Sequence, residues 1–429
     1  MLKKVLAALL CAALAVSAAA CGGDTTSSSA PEASSAGGIS SEAPKDITLT
    51  VLDANGYGLE EYDKLVKEFE DAHPGVTIEV QHAADNHVEV MGTKINAGET
   101  PDIFTMQVGS QASGYYEYAY DFKGDDILSK FYEDAVTSVT DEEGHVYGLP
   151  WNYENMALIY NVELFEKAGI NELPRTLSEL EDVCKKLKEK GITPFANGNM
   201  DTWVLSHVGG HFIATQNADP RDTVKALTDG SLTFEGMDKF KNLFTFVDMM
   251  IEYGPDKPME IGWEESENML ANGQAAMIHM GDWCEAALLE FNPKAKFAFM
   301  PLPTSDKAED AYVMSNISWQ YMVNKDSENL EMAKEFVTFL LTGDSAMKWV
   351  AETLGVVSAT KGDFDVKGTL AAAASEYIAK GETRPWNHTL WPNGYNEKFG
   401  AAIQGYMLKQ ANAQDTMKQM DTDWASLAK

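Results

Sequence analysis

Apolar and polar positions alternate where the patterned part of the chain begins. Residues 46–54, DITLTVLDA, are alternating and β-branched, which predicts a strand. The period then changes. In GLEEYDKLVKEFEDAHPG (58–75), Leu59, Tyr62, Leu65, Val66 and Phe69 recur at helical spacing, and His73-Pro74-Gly75 ends the helix. VTIEVQHA predicts a second strand, HVEVMGTKINAGE a helix and PDIFTMQ a third strand. Strand and helix in alternation predict an α/β layer around a parallel sheet.

Further on, NVELFEKAGI predicts a short helix. TLSELEDVCKKLKEKG predicts a longer one, with Thr176 three residues before Glu179 as a capping box and Gly191 as its stop. ITPFAN ends a strand, and residues 201–254 are helix-rich. ESENMLANGQAAMIHMGDW predicts a helix, a turn and a short apolar strand ending at Gly281-Asp282-Trp283. KFAFMPLP and SWQYMVNK predict strands; NLEMAKEFVTFLLTG and SAMKWVAETLG predict amphipathic helices. The tail from about 367 is helical but broken by TRPWNHTLWPNGYN, and no internal repeat is visible.

One stretch fits neither a core strand nor a surface turn: YGLPWNYENMALIYN, residues 147–161. Pro150 interrupts regular structure, two aromatics, two amides and a carboxylate follow, and an apolar strand, Met156 to Tyr160, comes next.

Composition narrows the function. The chain has 429 residues, 45% of them hydrophobic, enough for about two to three domains and a large core. It carries 33 Lys+Arg against 66 Asp+Glu, a net charge of −33. That balance excludes a nucleic-acid partner, which needs a basic face, and adhesion of the folded surface to anionic lipid. The N-terminus is different. MLKK is followed by an apolar run of 16 residues, too short for a membrane span and flanked like a signal peptide (1–20). Ala18-Ala19-Ala20-Cys21-Gly22 resembles a bacterial lipobox, with Ala18 where Leu is common; Cys21 is then the lipidated first mature residue. Residues 21–45 are otherwise Ser/Ala/Gly/Pro-rich and read as a disordered tether. A lipid, a tether and a globular body imply work at the outer face of the bacterial cytoplasmic membrane. Of the remaining cysteines, Cys11 leaves with the signal; Cys184 and Cys284, 100 residues apart, read as two free, buried thiols, with a disulfide between them as the alternative.

No phosphate-binding loop, dinucleotide fingerprint or nucleophile elbow occurs. His207 and His211 have i,i+4 spacing but lack the Glu of a zinc protease, so neither a metal nor another cofactor is expected. What recurs is an aromatic beside amides and carboxylates at loops and strand ends: Trp151-Asn152-Tyr153-Glu154, Asp201-Thr202-Trp203, Asp282-Trp283, Asn316 before Trp319, and Trp386-Asn387-His388 with Trp391. Asp53, Asn55 and Tyr57 join them at the exit of the first strand and Gln107 at that of the third. A sugar ring matches this mixture. Its C–H face packs on an indole, and its hydroxyls pair with carboxylates and amides. Trp263, Trp349 and Trp424 read as core; Trp319, flanked by strand, fits either role.

In this order, INAGETPDIF, GHVYGLPWNYENMALIYNVELFEKAGI, RTLSELEDVCKKLKEKGITPFA, LANGQAAMIHMGDW, FAFMPLP and NLEMAKEFVTFLLTGDSAMKWVAETLGVVSA resemble the extracellular sugar-binding proteins of ABC importers, the group related to maltose-binding protein. The resemblance covers about residues 46–429. It implies a two-lobed α/β fold of the type II periplasmic-binding-protein kind, with the ligand cleft between lobes joined by hinge crossovers. Lobe one would be 46–153 plus 315–354, and lobe two 158–312 plus 358–429. It further implies a monomeric, non-enzymatic protein that captures a carbohydrate, an oligosaccharide given the number of aromatics, and passes it to a membrane permease. Trp283 and either Trp386 or Trp391 would stack on sugar, Asn55 and Gln107 would hydrogen-bond it from lobe one, Trp151 to Glu154 would floor the hinge, and Trp203 would wall lobe two. Trp151→Ala and Glu154→Ala would then each weaken binding and leave folding cooperative. Two other classes share the chemistry: a polyamine or other small solute in the same fold, through cation–π contact, and a surface glycan-cleaving enzyme.

Overall fold

A computed structural model describes residues 46–428 apart from 85, 142, 218 and 363. The expected signal peptide, the Cys21 lipidation site and the tether lie outside the described residues. Two sheets organise the rest. The first is five-stranded, in the order β2-β1-β3-β11-β4: β1 Ile47–Asp53, β2 Val76–His82, β3 Ile103–Gln107, β4 Leu149–Pro150 and β11 Trp319–Val323. β1 pairs in parallel with both β2 and β3, as the alternating strand–helix pattern predicts. β2 is an edge strand and keeps the alternation, burying Val76 and Ile78 and exposing Thr77 and Glu79. The helix Leu59–Ala72 covers this sheet with Tyr62, Leu65 and Phe69.

The second sheet is eight-stranded and built around one ten-residue strand, β5 Asn152–Asn161. The first half of β5 pairs with β10 (Ala311–Ile317) and β12 (Val357–Ser358), and its second half with β7 (Ala275–Gly281) and β8 (Phe297–Met300). β6 (Thr193–Phe195) joins β7, and β9 (Leu302–Pro303) and β13 (Thr383–Arg384) join β10. A helical layer packs on this sheet. It includes Leu177–Glu189, whose Thr176–Glu179 capping box is formed, Thr202–Ala214, and the tail helices Tyr395–Met407 and Ala413–Leu427. The largest apolar cluster lies there, from Phe165 through Phe246 to Trp424; a second, centred on Val51, Phe336 and Trp349, supports the first sheet. Cys184 and Cys284 are both free and buried.

The chain changes sheets across single residues. Pro150 pairs with Gln320 in the first sheet, whereas Asn152 pairs with Ser358 in the second. The return runs from Ile317 of β10 to Trp319 of β11, and a third connection follows the helical turn Trp349–Leu354 into β12. Asn152 and Tyr153, and likewise Ser315 to Ile317, therefore pair within the second sheet and not the first, where sequence reasoning had put them. The reason is the length of β5, whose polar first half is strand and not loop. Among the described residues no helix is long and apolar enough to cross a membrane.

Candidate solute-binding cleft

A cavity of about 970 Å³ lies between the two sheets, lined from both and from the crossings. Its first-lobe wall comes from the C-terminal ends of parallel strands, where open α/β sheets place ligands: Asp53 to Tyr57 after β1, and Gln107 at the end of β3. Trp151, Asn152, Glu154 and Ser318, all at sheet crossings, form the floor. Trp203, Trp263, Trp283, His207, Trp386 and His388 form the second-lobe wall. Seven of the nine tryptophans line this one space, all but Trp349 and Trp424. A core function accounts for those two, both at most 4% exposed. It does not account for half-buried Trp203, Trp263, Trp283 and Trp319 converging on a void.

The aromatic wall is continuous. Trp283 meets Trp386 edge to face at 5.8 Å, Trp203 meets Trp263 at 6.3 Å, and the His207 ring sits 5.2 Å from Trp203 and 4.3 Å from His388. Tyr57 of the first lobe reaches the edge of Trp263 at 6.2 Å, so the walls touch on that side. They touch again where Gly109, after β3, backs onto the tail loop: a Cβ there would lie 2.3 Å from the Thr389 carbonyl oxygen, and its φ of +86° also favours glycine.

Of the residues singled out from sequence, Asn55, Gln107, Trp151, Asn152, Glu154, Trp203, Trp283, Trp386 and Trp391 line the cavity. Asn55 does so with its amide engaged, donating to the Tyr57 carbonyl and accepting from the Tyr57 N–H, so it shapes the loop that presents Tyr57. Three others stand away from the cavity. Tyr153 lies on the opposite face of β5 from Asn152 and Glu154, and its hydroxyl donates to Asp134 at 2.6 Å. Asn316 pairs with Glu154 and so lies one strand further off. Asp282 is fully buried and accepts from the backbone and side-chain nitrogens of Asn155 at 3.0 and 2.7 Å, tying the turn that carries Trp283 to β5. Between the tail aromatics, Trp386 faces Trp283, whereas Trp391 packs mainly on Tyr395, Phe399 and Trp424. Sequence reasoning missed Trp263, taken for core, and His207, weighed only as a metal ligand. His388 was visible beside Trp386 but not singled out.

Trp151 has a second role. Its ring stacks on Trp349 at 5.8 Å with 21° between the planes, and the Trp349 indole N–H donates to the Gly58 carbonyl. The Trp151 backbone N–H donates to the Trp319 carbonyl, and the Trp151 carbonyl accepts from the Ala359 N–H. At 6% exposure it belongs to the first-lobe core. Trp151→Ala is therefore expected to lower unfolding free energy by about 3–5 kcal/mol, which denaturant titration measures. This adds a stability defect to the expected loss of affinity, with unfolding still cooperative; unchanged stability would return Trp151 to the role of a surface platform.

Burial sets the electrostatics. Glu154 is pushed up to about 8 by burial and then by nearby Asp282, and Asp282 is pushed up to about 7 by burial. Burial drives the wall histidines the other way: His207 is lowered to about 3 and His87 to about 4, with His388 well below its ordinary value. Several buried polar atoms in the wall lack a partner among the described residues: the indole nitrogens of Trp151, Trp386 and Trp391 and both ring nitrogens of His388. Leaving such atoms unpaired is costly. A polar ligand that reaches them recovers that cost.

Solved structures share this architecture, and curated proteins are similar in sequence. The chain superposes on a solute-binding protein, RafE, solved in complex with raffinose, with a TM-score of 0.78 at 18% identity over 89% of this chain and 100% of that one. The melibiose/raffinose/stachyose-binding protein MelE of Bacillus subtilis is 22% identical over 375 residues, 85% of this chain and 86% of its own. An uncharacterised ABC transporter extracellular-binding protein of Pyrococcus horikoshii is 27% identical over 269 residues, 59% of this chain and 60% of its own. Residues 55–347, which hold the floor of the cleft and most of both walls but not Asp53 or the tail residues Trp386, His388 and Trp391, match the family described as bacterial extracellular solute-binding protein. With a two-lobed α/β fold, three crossings and a cavity between the sheets, the chain belongs to the bacterial extracellular solute-binding proteins.

Proposed function

We propose that the protein captures a carbohydrate, an oligosaccharide of a few rings, by closing its lobes around it, and delivers it to the membrane permease of an ABC importer. It works as a monomer held by lipid on Cys21 at the outer face of the bacterial cytoplasmic membrane, and it performs no covalent chemistry. One observation carries the reading: a cavity of about 970 Å³ walled by seven tryptophans and by buried polar atoms without partners. That volume lies at the upper end for small-molecule sites and suits several rings. The names of relatives that bind melibiose, raffinose, stachyose and maltotriose support the same class. Closure needs a ligand that contacts both lobes, and the cavity is lined from both, by Tyr57 and Gln107 of the first and by Trp203, Trp283 and Trp386 of the second.

A cationic solute such as a polyamine is the second reading, favoured by Asp53, Glu89, Glu154 and Glu397 in the lining. Tryptophan fluorescence and calorimetry with raffinose, stachyose, maltotriose, diacetylchitobiose and spermidine decide between them. Micromolar or tighter binding of at least one sugar is expected, with thermal stabilisation that grows with its concentration. Binding of spermidine alone would replace the carbohydrate reading, and silence toward a broad glycan array would end it.

A further inference from the structure

The charge pattern of the cavity is one-sided. Acids enter its lining from both lobes and from the floor: Asp53 at the end of β1, Glu89 on the rim helix His87–Ala97, Glu397 on the tail helix Tyr395–Met407, and Glu154 at the crossing. Among the described residues no Lys or Arg lines it. The remaining nitrogen bases of the wall are imidazoles, and His87, His207 and His388 are 4%, 8% and 1% exposed. Burial holds all three in the neutral form at ordinary pH. An entering anion would meet no positive group. It would give up contacts with water and gain no positive charge in return. An ammonium would meet the opposite: carboxyls able to ionise against it, and indole faces within reach.

We infer that the cavity selects glycans by charge, admitting uncharged and amino sugars and rejecting uronates and sugar phosphates. This rests on the carbohydrate reading above and narrows it. Glu154, 7% exposed at the floor, acts at short range by ionising against an entering ammonium, whereas the Asp53 carboxylate, 0% exposed, accepts from the Asn55 N–H and the Tyr321 hydroxyl and acts from behind the wall. Glu89 and Glu397 are exposed at the mouth and act through solvent. The buried pair therefore sets the part of the selection that salt cannot screen.

Calorimetric titration of the full chain with raffinose, maltotriose and diacetylchitobiose identifies the best-bound parent. That parent is then offered in three further forms, with one primary hydroxyl oxidised to a carboxylate, phosphorylated, or replaced by an amine. The amine is expected to bind within about tenfold of the parent, and the carboxylate and phosphate at least about 100-fold more weakly than the amine. Most of that gap should persist in roughly 1 M salt, where the screening length is about 3 Å. Equal losses for amine and carboxylate overturn the inference, since the hydroxyl would then matter by shape alone. A gap that vanishes in high salt also overturns it, since the net charge of the whole surface would be the cause. Both outcomes leave the carbohydrate reading standing. If no parent and no member of a neutral-glycan array binds, that reading falls and the inference with it.

Discussion

Trp283→Ala is expected to lower carbohydrate affinity by about 100-fold, and Gly281→Ala to reproduce much of that loss without deleting an atom that faces the ligand. Trp283 lies on a turn between β7 and the helix Glu285–Phe291, with its ring folded back over Gly281. A Cβ at position 281 would sit 1.8 Å from the indole ring, so the ring must move if any other residue stands there. The backbone at Gly281, φ −101° and ψ 170°, is open to every residue. The penalty is therefore steric and directed at the ring. Trp283 is half-buried and the turn is held by the Asp282–Asn155 bonds, so both variants should unfold cooperatively. Calorimetry on the best-bound sugar, with thermal unfolding as control, checks this. Wild-type affinity in Gly281→Ala would show that the ring orientation over Gly281 is not the binding one.

The second large effect is on stability against pH, which should be highest between about pH 4.5 and 6.5 and fall on both sides. Glu154, Glu267 and Asp282 are raised to about 8, 9 and 7 in the fold, from ordinary values of 4.5, 4.5 and 3.8, and burial is the first cause of each. Above its ordinary value, each carboxyl keeps in the folded state a proton that the unfolded chain has released. The folded state then binds more protons, and stability falls as pH rises until the folded carboxyl itself ionises. His207 and His211, lowered to about 3, and His279 and His388, lowered well below 6.5, act in the opposite direction. Below pH 6.5 the unfolded chain gains protons that the folded rings refuse, so stability falls as pH drops. Between the two limits the terms oppose one another. Each carboxyl changes the folded-to-unfolded ratio by roughly tenfold per pH unit inside its window. Glu267 is 1% exposed and lies outside the cavity lining, so Glu267→Gln isolates the effect from ligand contact. The variant should gain on the wild type steadily from about pH 4.5 to 9. Parallel curves for the two proteins would mean that Glu267 is ionised in the fold.

Much of the architecture is readable along the chain, because helix and strand periods are local. The first five elements, the Thr176–Glu179 capping box and the Gly281-Asp282-Trp283 strand end can all be read over a few residues. The aromatic–amide pairs at strand exits are legible for a similar reason: a Trp next to Asn or Asp is poorly suited to a core. Confusion begins where one residue type serves two ends. Trp263 starts a helix and looks like core, yet it lines the cavity; Trp151 looks like a platform, yet its ring is stacked into the first-lobe core. No local pattern distinguishes them, since each choice depends on a partner far away in sequence: Tyr57 for Trp263, Trp349 for Trp151.

What the sequence by itself determined is the α/β class, the order of elements, the family resemblance and the chemistry of the cleft, because these depend on composition and short-range spacing. Only the tertiary structure decided which side chains share the cavity. β5 runs longer than its apolar half, which moves Asn152 to Asn155 into the second sheet and turns Tyr153 away. Asp282 spends its carboxylate on Asn155, 127 residues distant, and so positions Trp283 instead of meeting the ligand. Burial then sets charge: the same Glu and His side chains, exposed, would be ionised or half-protonated near neutral pH, and here the walls around them hold them neutral. Pairing across long sequence distance and the exclusion of water are properties of the folded packing, and neither is written in any window of the chain.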